Sequence, residues 1–282
     1  MAFATPLRYP GGKGRLGPWL AELMRANGIS GGTYVEPYAG GAGAAIYLLT
    51  QGFVDRIVIN DADPAIHAFW WAVLNDTDRF LKKLDRCSVT LAARERHKSI
   101  IAAPKQHEKL DVGFAAFFLN RTNRSGILQG GVIGGKEQAG TYKIDARFNR
   151  EDMADRISKI GKLRDHIELH GLDAMKLLSK IQKTLPKKSL IYFDPPYYIK
   201  GSQLYRNFYT PGDHKEIAEN VTSLRTPWLV TYDNCDEIRT LYQGTPTLTF
   251  SLYYSTHLSR DTATEVMFYD NLDMKIAPYL RR

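Results

Sequence analysis

The 282-residue chain is 44% hydrophobic and 24% charged, which excludes the disordered, fibrous and membrane-spanning classes and leaves a packed globular protein. Its two isolated cysteines, Cys87 and Cys235, lack metal-ligand spacing and argue against a zinc or disulfide framework, and the opening MAFATPLRYPGG has no secretory pattern. The net charge of +8 is local: residues 1–78 hold 5 basic and 7 acidic side chains, residues 79–164 hold 19 and 9, and residues 165–282 hold 14 of each. An excess confined to the middle of a chain is either a solubilising surface or the footprint of a polyanion-binding one.

In chain order, Thr33–Glu36 is a short β-rich run ending in the Gly-rich loop YAGGAG (38–43), and residues 44–49 read as a helix. Arg56–Asn60 (RIVIN) is the next strand, ending at Asp61, and residues 64–74 form a helix with Pro64 in its first turn. The basic middle has another texture. Residues 80–109 and 112–119 read as helices, 122–148 is polar and Gly-rich, and 151–163 returns to helical periodicity, with no obvious strand. Beyond it, strands are expected at Ile167–His170, 190–193, 228–231, Thr247–Tyr253 and 266–269, with helices at Ala174–Ile181, 213–224 and Asp236–Leu241. Strands alternating with helices predict an α/β sheet with helices on both faces, built from residues 1–76 and 165–282. Residues 77–164 are then an inserted, mostly helical lobe.

Ligands of open α/β sheets bind beyond the carboxyl ends of the strands, near the point where strand order reverses. Three acids are expected at such ends. Glu36 precedes the small-residue loop through Gly40 and Gly41. Asp61 lies roughly 20 residues beyond it, the spacing at which an acid reaches ribose hydroxyls; its alternative reading is a cap for the helix near Pro64. Asp173 follows the Ile167–His170 strand and either meets an adenine amino group or caps the next helix. Together they point to a nucleoside-containing cofactor. The loop lacks G-x-G-x-x-G and any following Lys-Ser/Thr, which disfavours a dinucleotide or a nucleoside triphosphate.

The stretch LIYFDPPYY (190–198) adds a reaction. For a methyl group carried on a sulfonium and an exocyclic amine on a base, the amine needs acceptors for both N–H bonds to free its delocalised lone pair. Asp194 accepts one hydrogen and the carbonyl of Pro195 the other, stiffened by the two prolines, while Tyr197 offers a ring face to a flipped base. Read without its neighbours, the same tetrapeptide is a rigid turn. Tyr198 is either a second wall of that pocket or ordinary packing, and the same choice stands for Phe208 and Tyr209; Tyr232 and Asn234 are further pocket candidates.

RYPGGKG (8–14), VEPYAGGAG, IVIND and DPPY, in that order, resemble the DNA adenine-N6 methyltransferase family that includes the Dam-type enzymes, class D12, with the alpha-group arrangement. The resemblance runs from Pro6 to about Leu272 and implies a Rossmann-like S-adenosylmethionine-dependent methyltransferase sheet with an inserted target-recognition domain. It assigns Tyr9, Gly11, Gly12, Lys13, Glu36, Tyr38, Gly40, Asp61, Asp173 and Asp194 to the cofactor, and Asp194, Pro195, Pro196 and Tyr197 to catalysis. Residues 120–126 (NRTNRSG) resemble the family's recognition patch, so Asn120, Arg121, Asn123 and Arg124 are expected at DNA. Read from the sequence alone, Lys200 and Arg206 in the loop after DPPY either hold the phosphate of an extruded nucleotide or are simply solvated. Two departures stand out. Ala42 replaces the usual glycine of the cofactor loop, and TYKIDARF (141–148) stands where the Dam branch has Asn-Val-Pro-Phe-Gly, so GATC specificity does not transfer.

The implied activity is methylation of adenine N6 in a specific double-stranded DNA sequence, with S-adenosylhomocysteine as by-product and no metal. Cytosine N4 methylation is a same-chemistry alternative, and an idle DNA-binding protein of the same fold is one of another class. The implied partner is double-stranded DNA, with no membrane; whether a cognate restriction endonuclease acts on the same site or the enzyme stands alone is left open by the sequence, and the expected location is cytoplasmic.

Overall fold

The computed structural model describes residues 5–9, 12–199, 209–253 and 262–280. Its strands are β1 (Thr33–Glu36), β2 (Arg56–Asn60), β3 (Ile167–His170), β4 (Ser189–Phe193), β5 (Trp228–Asp233), β6 (Thr247–Tyr253) and β7 (Thr262–Asp270). They form one sheet in the order β3-β2-β1-β4-β5-β7-β6. The first five in that order are mutually parallel, and β7 runs antiparallel between β5 and β6. Chain order reverses between β1 and β4, so the crevice at their carboxyl ends is the switch point.

The central strands are buried on both faces, as their near-continuous apolar runs require. Their side chains divide by parity. Tyr34, Ile57, Ile59, Leu190, Tyr192, Leu229 and Met267 enter one core, while Val35, Val58, Ile191, Phe193, Val230 and Phe268 enter the other. The first core is covered by α1 (Gly17–Ala26), α2 (Gly43–Thr50) and α3 (Pro64–Asn75); the second by α8 (Ala174–Ile181), α9 (Pro211–Thr222) and α10 (Asp236–Leu241). This is an α/β fold with helices on both faces. Helix α1 was not anticipated, although Trp19, Leu20, Leu23 and Met24 bury one of its faces.

Residues 77–163 add α4 (Thr77–Arg86), α5 (Leu91–Ala102), α6 (Lys109–Thr122) and α7 (Arg150–Lys162) and contribute no strand to the sheet. The helix expected over 80–109 is broken. It stops at Cys87, and Thr90 caps a new start by accepting the Ala93 N–H at 3.1 Å. This lobe is continuous with the first core. Phe69 of α3 stacks on Phe117 of α6 at 6.1 Å and meets Phe80 of α4 edge-on at 5.9 Å. Gly113 lets α6 close on α3, because a Cβ there would lie 2.4 Å from the Ala68 carbonyl oxygen. Among the described residues, no helix is long and apolar enough to cross a membrane.

Candidate active site

At the end of β1 the chain turns through Pro37–Gly43 into α2, and three elements hold that turn. The Ala39 N–H donates to the Asn60 carbonyl at 2.8 Å, the Trp70 indole donates to the Gly40 carbonyl at 2.9 Å, and the Gly40 N–H donates to Asp61 Oδ2 at 2.8 Å. Gly40 has φ +46, and a Cβ on it would meet the Tyr9 ring at 2.7 Å, so the ring lies directly on the loop. Glu36 is buried, and its Oε1 accepts the Ala45 N–H at 3.1 Å in the first turn of α2. Burial pushes its carboxyl up to about 8 despite that bond.

Ala42 takes the left-handed conformation, φ 45 and ψ 36, which strains a residue carrying a Cβ. Its methyl is therefore felt as backbone strain at this turn. Ala42→Gly relieves the strain but frees the unfolded chain, leaving a net gain of about 0.5–1 kcal/mol. Urea unfolding at matched m-value should show the midpoint rise; an unchanged or lower midpoint would contradict the strain.

Asp61 is not the helix cap. Asp63 is, accepting the Ala65 N–H at 2.8 Å, whereas Asp61 Oδ1 accepts the Asp63 N–H at 2.8 Å. Asp61 thus joins the β1 loop to the β2 turn, and desolvation pushes its carboxyl up to about 7. Asn60, singled out by no sequence argument, is fully buried beside it. Its amide donates to the carbonyls of Pro37 and Leu172, each at 2.9 Å, and its Oδ1 accepts the Leu172 N–H at 2.8 Å. One side chain therefore ties the turns after β1, β2 and β3. Asp173 does cap α8, with Oδ1 accepting the Met175 and Lys176 N–H groups at 3.0 and 3.2 Å. Tyr38 meets Tyr209 edge-on at 6.0 Å.

Asp194 lies across the switch point, just past β4. Its Oδ1 takes two donors, Lys13 Nζ at 2.8 Å and the Thr231 hydroxyl at 3.0 Å, and Thr231 also pairs with the Tyr192 hydroxyl at 3.0 Å. Lys13 is buried and also approaches Glu265 of β7 at 3.4 Å and the Tyr197 hydroxyl at 3.4 Å. Burial works against its charge, but Asp194 and Glu265 outweigh that, and its pKa is raised. The Tyr197 hydroxyl donates to Glu265 Oε1, and Lys13 Nζ lies 5.5 Å from the Tyr197 ring centre. Asp233 fastens the next two residues, accepting the Tyr198 N–H at 2.8 Å and the Ile199 N–H at 2.9 Å. Tyr198 packs on His214 at 5.1 Å, and His214 pairs with the Tyr232 hydroxyl at 3.2 Å. Asn234 accepts from Arg239 Nε at 2.7 Å. Thr231, Asp233 and Glu265 were missed by sequence reasoning; the available signal was an acid within the apolar run of β7.

The recognition patch looks inward. Asn120 accepts the Arg8 N–H at 2.8 Å and donates to the carbonyls of Arg8 at 2.6 Å and Gly126 at 2.9 Å. Arg121 donates to the Arg147 carbonyl at 2.6 Å, and burial, with Arg8 and Arg156 nearby, lowers its pKa to about 10. Asn123 accepts from Arg94 at 2.7 Å and donates to the carbonyls of Ile127 and Leu128. These three side chains hold the loop after α6 and the segment 5–9 in place. Arg124 is exposed. Gly11, Lys200, Arg206 and Phe208 lie outside the described residues.

Among the described residues no three His, Cys, Asp or Glu side chains converge on a metal position. The model of the D12 class N6 adenine-specific DNA methyltransferase family matches residues 9–259. The Type II methyltransferase M.MjaIII of Methanocaldococcus jannaschii is 22% identical over 204 residues, 68% of each chain. Among solved structures, the rRNA methyltransferase aviRa from Streptomyces viridochromogenes aligns over 89% of this chain and 82% of its own, with TM-score 0.36 and 12% identity. Protein LPL1258 from Legionella pneumophila aligns over 96% and 86%, with TM-score 0.33 and 11% identity. Neither alignment bears on function. The family match does: the chain belongs to the D12 class N6 adenine-specific DNA methyltransferases, enzymes that methylate adenine in DNA with S-adenosylmethionine as donor.

Proposed function

We propose that the enzyme extrudes an adenine from a specific duplex sequence and presents its N6 amine to Asp194 and the Pro195 carbonyl. The observation that carries this is the asymmetry of Asp194: Lys13 and Thr231 both hold Oδ1, which leaves Oδ2 for a substrate N–H. With Pro195 as second acceptor, both amine hydrogens are engaged and the lone pair is free to attack. The Tyr197 ring, held through its hydroxyl, is the stacking face for the base. Charge on residues 79–164 draws the polyanion in.

The switch-point residues also fit S-adenosylmethionine, which when bound supplies an electrophilic methyl group. Glu36 and Asp61 are acceptors at adjacent strand ends, and the Gly40 turn lacks side-chain bulk under Tyr9. In this reading Asp61 accepts the ribose hydroxyls, Glu36 and Tyr38 line the loop, and Asp173 stands at the adenine end.

The assay incubates varied duplex DNA with methyl-labelled cofactor and digests it to nucleosides. Label in N6-methyl-2′-deoxyadenosine is expected; label in N4-methyl-2′-deoxycytidine, or none in any sequence, would overturn the proposal. A pH test addresses the cofactor. Hydroxyl donors prefer a carboxylate, and the Asp61 carboxyl titrates at about 7 in the free protein, so protonation below that value weakens binding. Calorimetry with S-adenosylhomocysteine should show affinity rising severalfold between about pH 6 and pH 8. Asp61→Asn should flatten this step; a step of the same size in the variant would remove Asp61 from the contact.

A further inference from the structure

Two carboxylates stand directly opposite each other on β5 and β7, Asp233 against Glu265. Residues so paired share a sheet face, and like charges in that position repel, so the pair needs an explanation in its surroundings. Each acid is engaged by the same three-residue stretch. Asp233 accepts the Tyr198 and Ile199 N–H groups, one on each oxygen, while Glu265 accepts the Tyr197 hydroxyl and faces Lys13. The strand pair therefore grips residues 197–199 by backbone at one point and by side chain at another. Glu265 is almost fully buried, and a carboxylate held there without partners is costly.

We infer that Glu265 is a positioning residue for methyl transfer, acting through the Tyr197 hydroxyl and the Lys13 ammonium. Through the hydroxyl it fixes the plane of the ring on which the base stacks. Through Lys13, which lies between Glu265 and Asp194 at 3.4 and 2.8 Å, it sets where the cation sits and so which Asp194 oxygen remains for the amine. The inference rests on the proposed use of Asp194 and Tyr197. Glu265 itself touches neither base nor cofactor in this scheme.

Glu265→Gln keeps the shape but turns one oxygen into a donor that opposes Lys13. At saturating DNA and cofactor, the single-turnover rate should fall about tenfold to a hundredfold, with the S-adenosylhomocysteine Kd within about threefold of the parent. Tyr197→Phe probes the same contact from the loop without altering β7, and it keeps the stacking ring. It should also slow transfer, and the double variant should be slower than the slower single by no more than about threefold. A second readout is independent of turnover: in protein labelled with 3-fluorotyrosine, the Tyr197 ¹⁹F resonance, assigned by its loss in Tyr197→Phe, should shift or broaden in Glu265→Gln. Parent-like rates in both singles, multiplicative losses in the double variant, or an unmoved resonance would each overturn the inference. If Glu265→Gln does not fold, a parent-like rate in Tyr197→Phe overturns it and a slowed rate at unchanged Kd supports it. A parent that transfers no methyl group defeats the proposed function instead, while the resonance still decides whether Glu265 holds Tyr197.

Discussion

Asp194→Asn is expected to abolish methyl transfer, by at least about a thousandfold in single-turnover rate, or roughly 4 kcal/mol of transition-state stabilisation. The substitution is isosteric, so the oxygen that receives Lys13 and Thr231 survives. What changes is the other atom. An NH₂ group replaces Oδ2 and presents hydrogens to an amine that needs an acceptor. Cofactor affinity should stay within about tenfold, or ~1.4 kcal/mol, while the thermal transition falls, because buried Lys13 keeps only Glu265 as a counter-charge. Retention of near-normal turnover with either Asn or Ala at 194 would remove this carboxylate from the mechanism.

The second large effect is on stability. Lys13→Met leaves Glu265 buried and Asp194 partly buried without their shared cation, a loss of about 3–5 kcal/mol at neutral pH. The pH dependence has a definite sign. Lys13 has a raised pKa, so its contribution is complete at all pH values below its unfolded value and disappears only on strong alkalinisation. The gap between variant and parent should therefore hold steady through the neutral and mildly acid range and close only at strongly alkaline pH. Urea unfolding at neutral and at strongly alkaline pH measures this; a gap that stays the same at both would show that the Lys13 charge does not stabilise the fold.

Strand positions were legible because β1, β2 and β4 are apolar runs bounded by turn residues and buried on both faces, which local composition reveals. The acids at their ends were legible for the same reason. Function within the DPPY turn was readable only as far as the turn itself. Glu265 approaches Tyr197 through the register of β5 with β7, a pairing between distant segments that no local pattern encodes. Asn60, Asp61 and Asp63 are polar neighbours of similar capping ability, and spacing does not say which one caps. The segment 120–126 was opaque for another reason. Asn and Arg suit base edges and buried carbonyls equally well, so residue type alone could not tell that Asn120, Arg121 and Asn123 turn inward. The long helix expected over 80–109 breaks twice, at Cys87, where the Thr90 cap marks the new start, and after Ala102, where Pro104 cannot continue the run.

Residues 5–9 run between two regions that look separate along the chain. Thr5 donates to the Gly41 carbonyl and Tyr9 covers Gly40, while Arg8 is clasped by Asn120, and Gly126 passes so close beneath it that a Cβ would lie 2.2 Å from the Arg8 carbonyl oxygen. The region that would carry sequence preference and the turn that would carry the methyl donor thus share one short splint. Grafting the helical lobe of another enzyme into this one, to retarget it, would succeed only if the donor lobe keeps the equivalents of Asn120 and Gly126, or brings its own amino-terminal strip. Without that match, the strip loses its hold on the lobe, and Gly40 and Gly41 lose the contacts of Tyr9 and Thr5.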